Sequence, residues 1–345
     1  MIRKVLYFLL ALGPLVVALD HLGVGDITLF VVAAAALIPL AWLIGEATEH
    51  AAHHTGPGIG GFLNATFGNA PELIIALFAV NDGLTEVVRG SLTGSVVGNL
   101  LLVLGFSLAF GGSGELDRES SLTSFALVAF ATVLFLIPAG PGWSGDPDRH
   151  SLAVVSLPVS IVLLIVYVAV TWLSLRRHRQ RHVADESPDM AGWSLATALL
   201  VLAAATVVTA MVAEILVGSL EAFAERAHLS DFFVAAVIVA IVGNAAEHGG
   251  AVVVAHRGNI KLAAEIALAS SAQVAVFLIP AVAILSWLIE PLALSFREIE
   301  IAALIASVAF ASLLLWGGHS SRGRGIALIG AYGAVALSFL LAGDR

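Results

Sequence analysis

The chain has 345 residues, 59% hydrophobic and only 12% charged, with a mean hydropathy of +0.99. Soluble domains carry about 25% charged residues, so a water-soluble enzyme is excluded, as are disordered and fibrous proteins, and the long apolar runs place the chain in a bilayer. A net charge of −9 argues against a nucleic-acid partner, and the lack of cysteine removes disulfides, thiolate catalysis and Cys-ligated metals.

Backbone in hydrocarbon must satisfy its own hydrogen bonds, which leaves helix bundles and closed barrels. Barrel strands alternate over about 10 residues, whereas runs such as 28–44 and 194–212 are continuously apolar. An all-α integral membrane fold is predicted, with eleven transmembrane helices. The first six expected spans are 4–20, 28–49, 58–80, 88–110, 121–139 and 151–175. The other five are 193–217, 232–256, 261–287, 297–316 and 324–342. The first follows Arg3 and Lys4 and ends in Leu19, Asp20 and His21 without a small-x-small cleavage site, so it reads as a membrane helix rather than a signal peptide. The longest polar stretch, 176–188, separates the sixth span from the seventh.

With the N-terminus in the cytoplasm, eleven Lys and Arg residues fall on the cytoplasmic side, four of them (Arg176, Arg177, Arg179, Arg181) in this central loop. The opposite side receives Arg89, Arg149, Arg226, Arg297 and Arg345. The positive-inside rule therefore predicts a cytoplasmic N-terminus and a C-terminus on the other side. The Ala-rich, cysteine-free composition suggests a bacterial inner (plasma) membrane.

Polar residues are scarce, so their recurrence is informative. Gly68-Asn69-Ala70-Pro71-Glu72 returns as Gly243-Asn244-Ala245-Ala246-Glu247, 175 residues later. The same offset pairs Glu46 with Glu221 and Ser95 with Ser270, and one gap aligns Asn99 with Gln273. The expected organisation is an extra N-terminal helix (1–22), a first five-helix repeat (28–175), a cytoplasmic linker (176–190) and a second five-helix repeat (193–342). Because five is odd, the second repeat enters the membrane from the opposite side. Inverted-topology repeats of this kind belong to secondary transporters, whose sites lie near the midplane where the halves meet.

An ionised carboxylate in mid-membrane costs at least about 2.5–3.5 kcal/mol, and Glu72 and Glu247 both lie in long apolar stretches. Asn69 and Asn244 stand three residues before them, on the same helix face. Gly68, Gly243 and Pro71 loosen the local helix and free carbonyl oxygens. The next helix of each half offers Ser95 with Asn99, and Ser270 with Gln273. Together these groups make an oxygen-only site suited to a hard cation such as Ca2+, without the sulfur or clustered imidazoles that softer metals prefer. Two carboxylates are neutralised by one divalent cation or by two protons, and burial favours the protonated form. The chemistry points to cation/proton exchange, with lipid as the surrounding medium and no resident cofactor.

The GNAPE and GNAAEH motifs, GEATEH (residues 45–50), and the helices SVVGNLLLVLG and SSAQVAVFLIP resemble the CAX-type calcium/proton exchangers of the cation/Ca2+ exchanger superfamily. The resemblance covers both repeats. It implies that Ca2+ and H+ are the transported ions, that Glu72 and Glu247 are the essential ion- and proton-binding carboxylates, and that Asn69, Asn244, Ser95, Asn99, Ser270 and Gln273 stand beside them. It also implies that the helices bearing Glu46 and Glu221 slide to alternate access. Pro71 departs towards the Pro-Glu of sodium/calcium exchangers, and the acidic part of the linker is short, with only Asp185, Glu186 and Asp189. His248 and Gln273 favour the proton-coupled branch, His248 as a candidate for the proton path.

Blander readings stand beside these. Glu46 and Glu221 are near helix ends, as gates, proton-path residues or interfacial charges; Glu214 reads as interfacial, and Glu265 as a helix-surface partner of Lys261. Glu49, His50, His53 and His54 suggest an interfacial polar cap or a pH-sensing entrance; the order Glu-His-x-x-His is not the metalloprotease His-Glu-x-x-His. Exchange of other cations (Na+/H+, K+/H+, Mn2+/H+ or Na+/Ca2+) and a passive cation channel are the alternative functions.

Overall fold

The architecture comes from a computed structural model, which describes residues 2–181 and 192–344; within them the side chains of residues 2, 56–62, 64–65, 174–181 and 246–248 fall outside the description. The fold is an all-α membrane bundle. Helices α1 (Ile2–Leu9) and α2 (Leu12–His21) are followed by the 43-residue α3 (Asp26–Gly68), α4 (Ala70–Asn81) and α5 (Thr85–Val97). A π-helical stretch, Gly98–Val103, continues α5 into α6 (Leu104–Gly111). Next come α7 (Arg118–Gly142), α8 (His150–Arg181), α9 (Leu195–Gly218) and α10 (Leu220–Ala227). The short α11 (Asp231–Phe233) runs through a second π stretch, Val234–Val239, into α12 (Ala240–Gly243), and α13 (Ala245–His256) follows. Then α14 (Ile260–Gln273) passes through a third, Val274–Leu278, into α15 (Ile279–Leu285), before α16 (Glu298–Leu315) and α17 (Arg322–Ala342).

Helix starts follow the sequence closely. The side chains of Asp117, Ser194, Asn259 and Ser321 accept the exposed N–H groups of Ser120, Thr197, Leu262 and Arg324 at the mouths of α7, α9, α14 and α17, which satisfies donors that the helix itself cannot. The outer surface stays apolar: Leu200, Leu313 and Leu341 are each more than 70% exposed, as a lipid-facing surface requires.

Two expected spans do not form as single helices. No break separates 28–49 from 58–80; α3 runs unbroken to Gly68, and the interruption falls at Asn69, inside the motif. Likewise 232–256 is cut at Asn244. Asn69 (φ −99°, ψ 16°) and Asn244 (φ −85°, ψ 8°) have left helical geometry. The pieces that follow, α4 and α13, have 12 residues each and reach only about 18 Å, against a hydrocarbon core of about 30 Å. Pro71 fits because it occupies the first turn of α4, where its missing N–H breaks no bond. Among the described residues nine helices are long and apolar enough to cross a membrane, or ten if Leu220–Ala227 and Asp231–Gly243, bent by 111°, form one span. The described residues thus give nine or ten crossing segments where eleven are expected, because 58–80 is split between the end of α3 and the short α4.

Close backbone contact sets the interior. A Cβ on Gly94 of α5 would lie 1.9 Å from the Ala236 carbonyl oxygen in the second π stretch, so only glycine allows this crossing. Gly325 of α17 meets the backbone of Gly105 and Ala109 in α6 in the same way. Such small-residue contacts replace the hydrophobic effect, which is weak between helices in lipid. Helices α3 and α9 pair through Ile44, Ala47, Leu202 and Ala205, and α2 rests on both, with Gly13 against Val208 and Leu40.

Candidate ion-binding site

The two breaks bring the repeated motifs together. Asn244, left at a helix break with its backbone N–H turned to Ala240, uses its side-chain amide to bridge halves. Its Nδ2 donates to Ser95 Oγ at 2.8 Å and to the Ala240 carbonyl at 2.8 Å, while its Oδ1 accepts from Asn99 Nδ2 at 3.3 Å. Asn99 Nδ2 also donates to Ser270 Oγ at 2.8 Å. Ser95, Asn99, Asn244 and Ser270, 145–171 residues apart across each link, form one buried chain of amides and hydroxyls. Ser271, not singled out by the motif reading, extends it by donating to the Val96 carbonyl at 2.9 Å.

Glu72 begins the short helix α4 and is 7% exposed. Its side chain lies over Gly243: a Cβ there would be 3.2 Å from Glu72 Cγ and 3.6 Å from its carboxylate. The carboxylate therefore stands beside the second break, one residue from Asn244. Asn69 is buried at the first break, and Gln273 is half-buried where α14 passes into its π stretch. The backbone at Glu247 and His248 belongs to α13, but their side chains lie outside the described residues. The π stretches after Val97 and Gln273 widen the two helices next to Asn99 and Gln273, a distortion frequent at functional sites.

The remaining candidates lie away from this chain of bonds. Glu46, half-buried on α3, is 3.6 Å from Arg3 of the N-terminal helix, and Tyr7 meets Trp42 edge-on one turn away. Glu221 and Glu214 are exposed. His54 Nε2 donates to the Trp193 carbonyl at 2.8 Å and the His50 ring stacks at 4.8 Å on Trp193, so this cluster ties α3 to the chain entering α9. Lys261 reaches across to Asp117 at 3.0 Å, a partner on another helix that spacing with Glu265 did not suggest. The linker acids Asp185, Glu186 and Asp189 are outside the described residues.

Sequence reasoning also missed a buried charged cluster. Arg89, near the start of α5, is 1% exposed and pairs with Asp148 at 2.7 Å. Glu300, with no exposure, accepts from Thr93 Oγ1 at 3.0 Å and from the Arg297 backbone N–H at 2.7 Å. The available signal was Arg89 and Thr93 spaced i,i+4 in an apolar helix.

Discontinuous helices that gather a carboxylate, amides and hydroxyls inside an apolar bundle are the architecture of a secondary transporter. The sodium/calcium exchanger protein family matches residues 26–176 and 197–341, and the chain belongs to that family. It is 37% identical over 351 residues to the Ca(2+)/H(+) antiporter ChaA of Bacillus subtilis, covering 98% of this chain and 99% of that one. It is 35% identical over 365 residues to the Ca(2+)/H(+) antiporter of Synechocystis sp., covering 97% of each. The solved structure of native YfkE shares the fold with a TM-score of 0.84 at 36% identity, over 97% of this chain and 99% of that one. The resemblance to CAX-type exchangers read from the motifs thus extends along nearly the whole chain.

Proposed function

We propose that the protein is a secondary-active Ca2+/H+ antiporter of a plasma membrane, with its N-terminus in the cytoplasm and its exchange site at the paired helix breaks. Glu72 and Glu247 bind Ca2+ when ionised and carry protons when neutral. Asn69, Asn244, Ser95, Asn99, Ser270 and Gln273 supply neutral oxygens and hold the breaks in register. The observation that carries this reading is the chain of hydrogen bonds from Ser95 through Asn244 and Asn99 to Ser270, with Glu72 packed on Gly243 beside it.

Coupling follows from charge. One Ca2+ or two protons neutralise the two carboxylates; the empty, doubly ionised site is too costly to carry through hydrocarbon. The site therefore changes sides only when loaded with one ion or the other, which is antiport. The paired helices α3 and α9, carrying Glu46 and leading to Glu221, are the elements that slide. Relatives named as Ca2+/H+ antiporters along the full chain support Ca2+ as the cation. The test is flux in proteoliposomes under an imposed pH gradient, with Ca2+, Mn2+, Na+ and K+ compared. Uphill accumulation of Ca2+ is expected; equilibration without accumulation would instead identify a passive channel.

A further inference from the structure

Helix α5 carries polar residues on two faces. Ser95 and Asn99, four apart, face the breaks, while Arg89 and Thr93, also four apart, lie on a different face, about 120° round the helix on average at about 100° per residue. We propose that Arg89, Thr93 and Glu300 form a clasp that fixes α5 on α16 and thereby positions Ser95 and Asn99. This proposal rests on reading those two residues as part of the ion site.

The clasp rests on a set of hydrogen bonds, although the buried Arg89 Nε has no partner among the described residues. Arg89 Nη1 donates to Asp148 Oδ1 at 2.7 Å and to the Ala293 carbonyl at 3.3 Å, and Nη2 donates to Thr85 Oγ1 at 3.2 Å. Thr85 Oγ1 in turn donates to Asp148 Oδ2 at 3.0 Å. Four residues along, Thr93 Oγ1 donates to Glu300 Oε1, and Glu300 Oε2 caps α16 through the Arg297 N–H. The chain around these anchors is itself tied: Ser295 Oγ donates to the Pro147 carbonyl, Ser156 Oγ accepts from the Leu294 N–H, and Trp143 Nε1 donates to the Phe296 carbonyl. Two segments distant in sequence, at Asp148 and from Ala293 to Glu300, are thus bonded to one face of α5.

Only one half of the molecule has this device at these positions. The 175-residue offset that pairs Ser95 with Ser270 places Ala264 opposite Arg89 and Leu268 opposite Thr93, both apolar and 1% exposed. The second site helix, α14, is instead bonded to α5, through Ser271 to Val96 and through Ser270 to Asn99. The clasp therefore makes α5 the fixed member to which the other site helix is referred. Arg89 and Glu300 are buried in the first turns of α5 and α16, where a charge is costly unless it is paired and hydrogen-bonded.

The acceptor geometry supplies a graded test. Glu300 accepts with both oxygens, whereas a glutamine at that position accepts with only one, so Glu300→Gln loses one bond while keeping shape. The measurement is Ca2+ uptake by the full-length protein in proteoliposomes, as apparent KM, maximal rate and pH profile, with monodisperse elution as the folding criterion. Loss of one buried hydrogen bond is expected to raise KM about fivefold in Thr93→Val and in Glu300→Gln. The maximal rate should change less than KM, and Thr93→Ser should restore the wild-type KM. The pH profile should not move, because a positioning residue carries no transported proton. Asn99→Ala serves as the reference for the site and should raise KM about tenfold or more. If Asn99→Ala weakens Ca2+ binding while Thr93→Val and Glu300→Gln do not, the clasp is refuted and the site stands. If Asn99→Ala has no effect, both fall. A shifted pH profile in Glu300→Gln would make Glu300 a proton carrier and also overturn the proposal. Should Thr93→Val fail to fold, Glu300→Gln decides by the same criteria.

Discussion

Replacing Gly94 with alanine tests how tightly the site depends on helix crossing. The added Cβ would stand 1.9 Å from the Ala236 carbonyl oxygen and 2.7 Å from its carbonyl carbon. Both obstacles are backbone, so no side-chain rotation relieves the clash, and α5 must move off the Val234–Val239 stretch by at least about 1.5 Å to restore ordinary contact. Ser95 is the next residue, and its 2.8 Å bond from Asn244 would open beyond hydrogen-bond range after such a shift. Overpacking costs about 1–3 kcal/mol of stability. A lost buried bond adds about 1 kcal/mol at the site, roughly a fivefold rise in apparent KM for Ca2+. Thermal melting of the purified protein and Ca2+ uptake in proteoliposomes would be measured together. Gly333→Ala is the control, because no atom lies within 4 Å of its Cβ position. A Gly94→Ala protein with the wild-type melting temperature and KM would show that the crossing does not set the site's geometry.

Other consequences concern stability. Gly325→Ala should lower the melting temperature, since its Cβ would meet the Ala109 N at 2.4 Å and the Gly105 carbonyl at 2.6 Å, again at about 1–3 kcal/mol. Arg89→Ala leaves the partly exposed Asp148 without its guanidinium partner and removes the hydrogen bonds to Thr85 and the Ala293 carbonyl, and should cost about 1.5–3 kcal/mol in thermal or denaturant unfolding; an unchanged midpoint would contradict the bonding seen for this cluster. At the mouth of α7, the Ser120 N–H first and the Lys261 ammonium second hold the Asp117 carboxyl below its usual range. Its contribution is therefore present above the ordinary carboxylate range and lost as pH falls through the lowered value. Asp117→Asn keeps a capping oxygen but not the ion pair, so its effect should be small, under about 1 kcal/mol, and should vanish in acid.

Much of this was legible in sequence because scarcity of polar residues makes those that remain conspicuous. Asn69, Glu72, Asn244, Ser95, Asn99 and Ser270 stand out by recurrence and spacing, and the structure joins four of them, Ser95, Asn99, Asn244 and Ser270, in one chain of hydrogen bonds. The helix breaks were legible only in part. The expected spans 28–49 and 58–80 put an interruption between them, yet α3 continues to Gly68, and the break falls at Asn69 instead. Local composition cannot rank two competing interruptions when packing against α9 supports one stretch of helix and the motif loosens another. Arg89 and Glu300 escaped for a different reason. Each lies near the end of an apolar span, where charge is ordinary, and Thr93 and Glu300 are 207 residues apart. Their partnership exists only in three dimensions. Lys261 illustrates the same point, since spacing offered Glu265 while the fold delivers Asp117.

The most direct measurement of the central claim is ΔpH-driven Ca2+ uptake into proteoliposomes by the wild-type protein and by Glu72→Gln, which keeps the shape of the side chain and removes its charge and its titratable proton. The account expects concentrative uptake by the wild type and none above empty liposomes for a folded Glu72→Gln protein. Proton-driven Ca2+ uptake at the wild-type rate in that variant would contradict it.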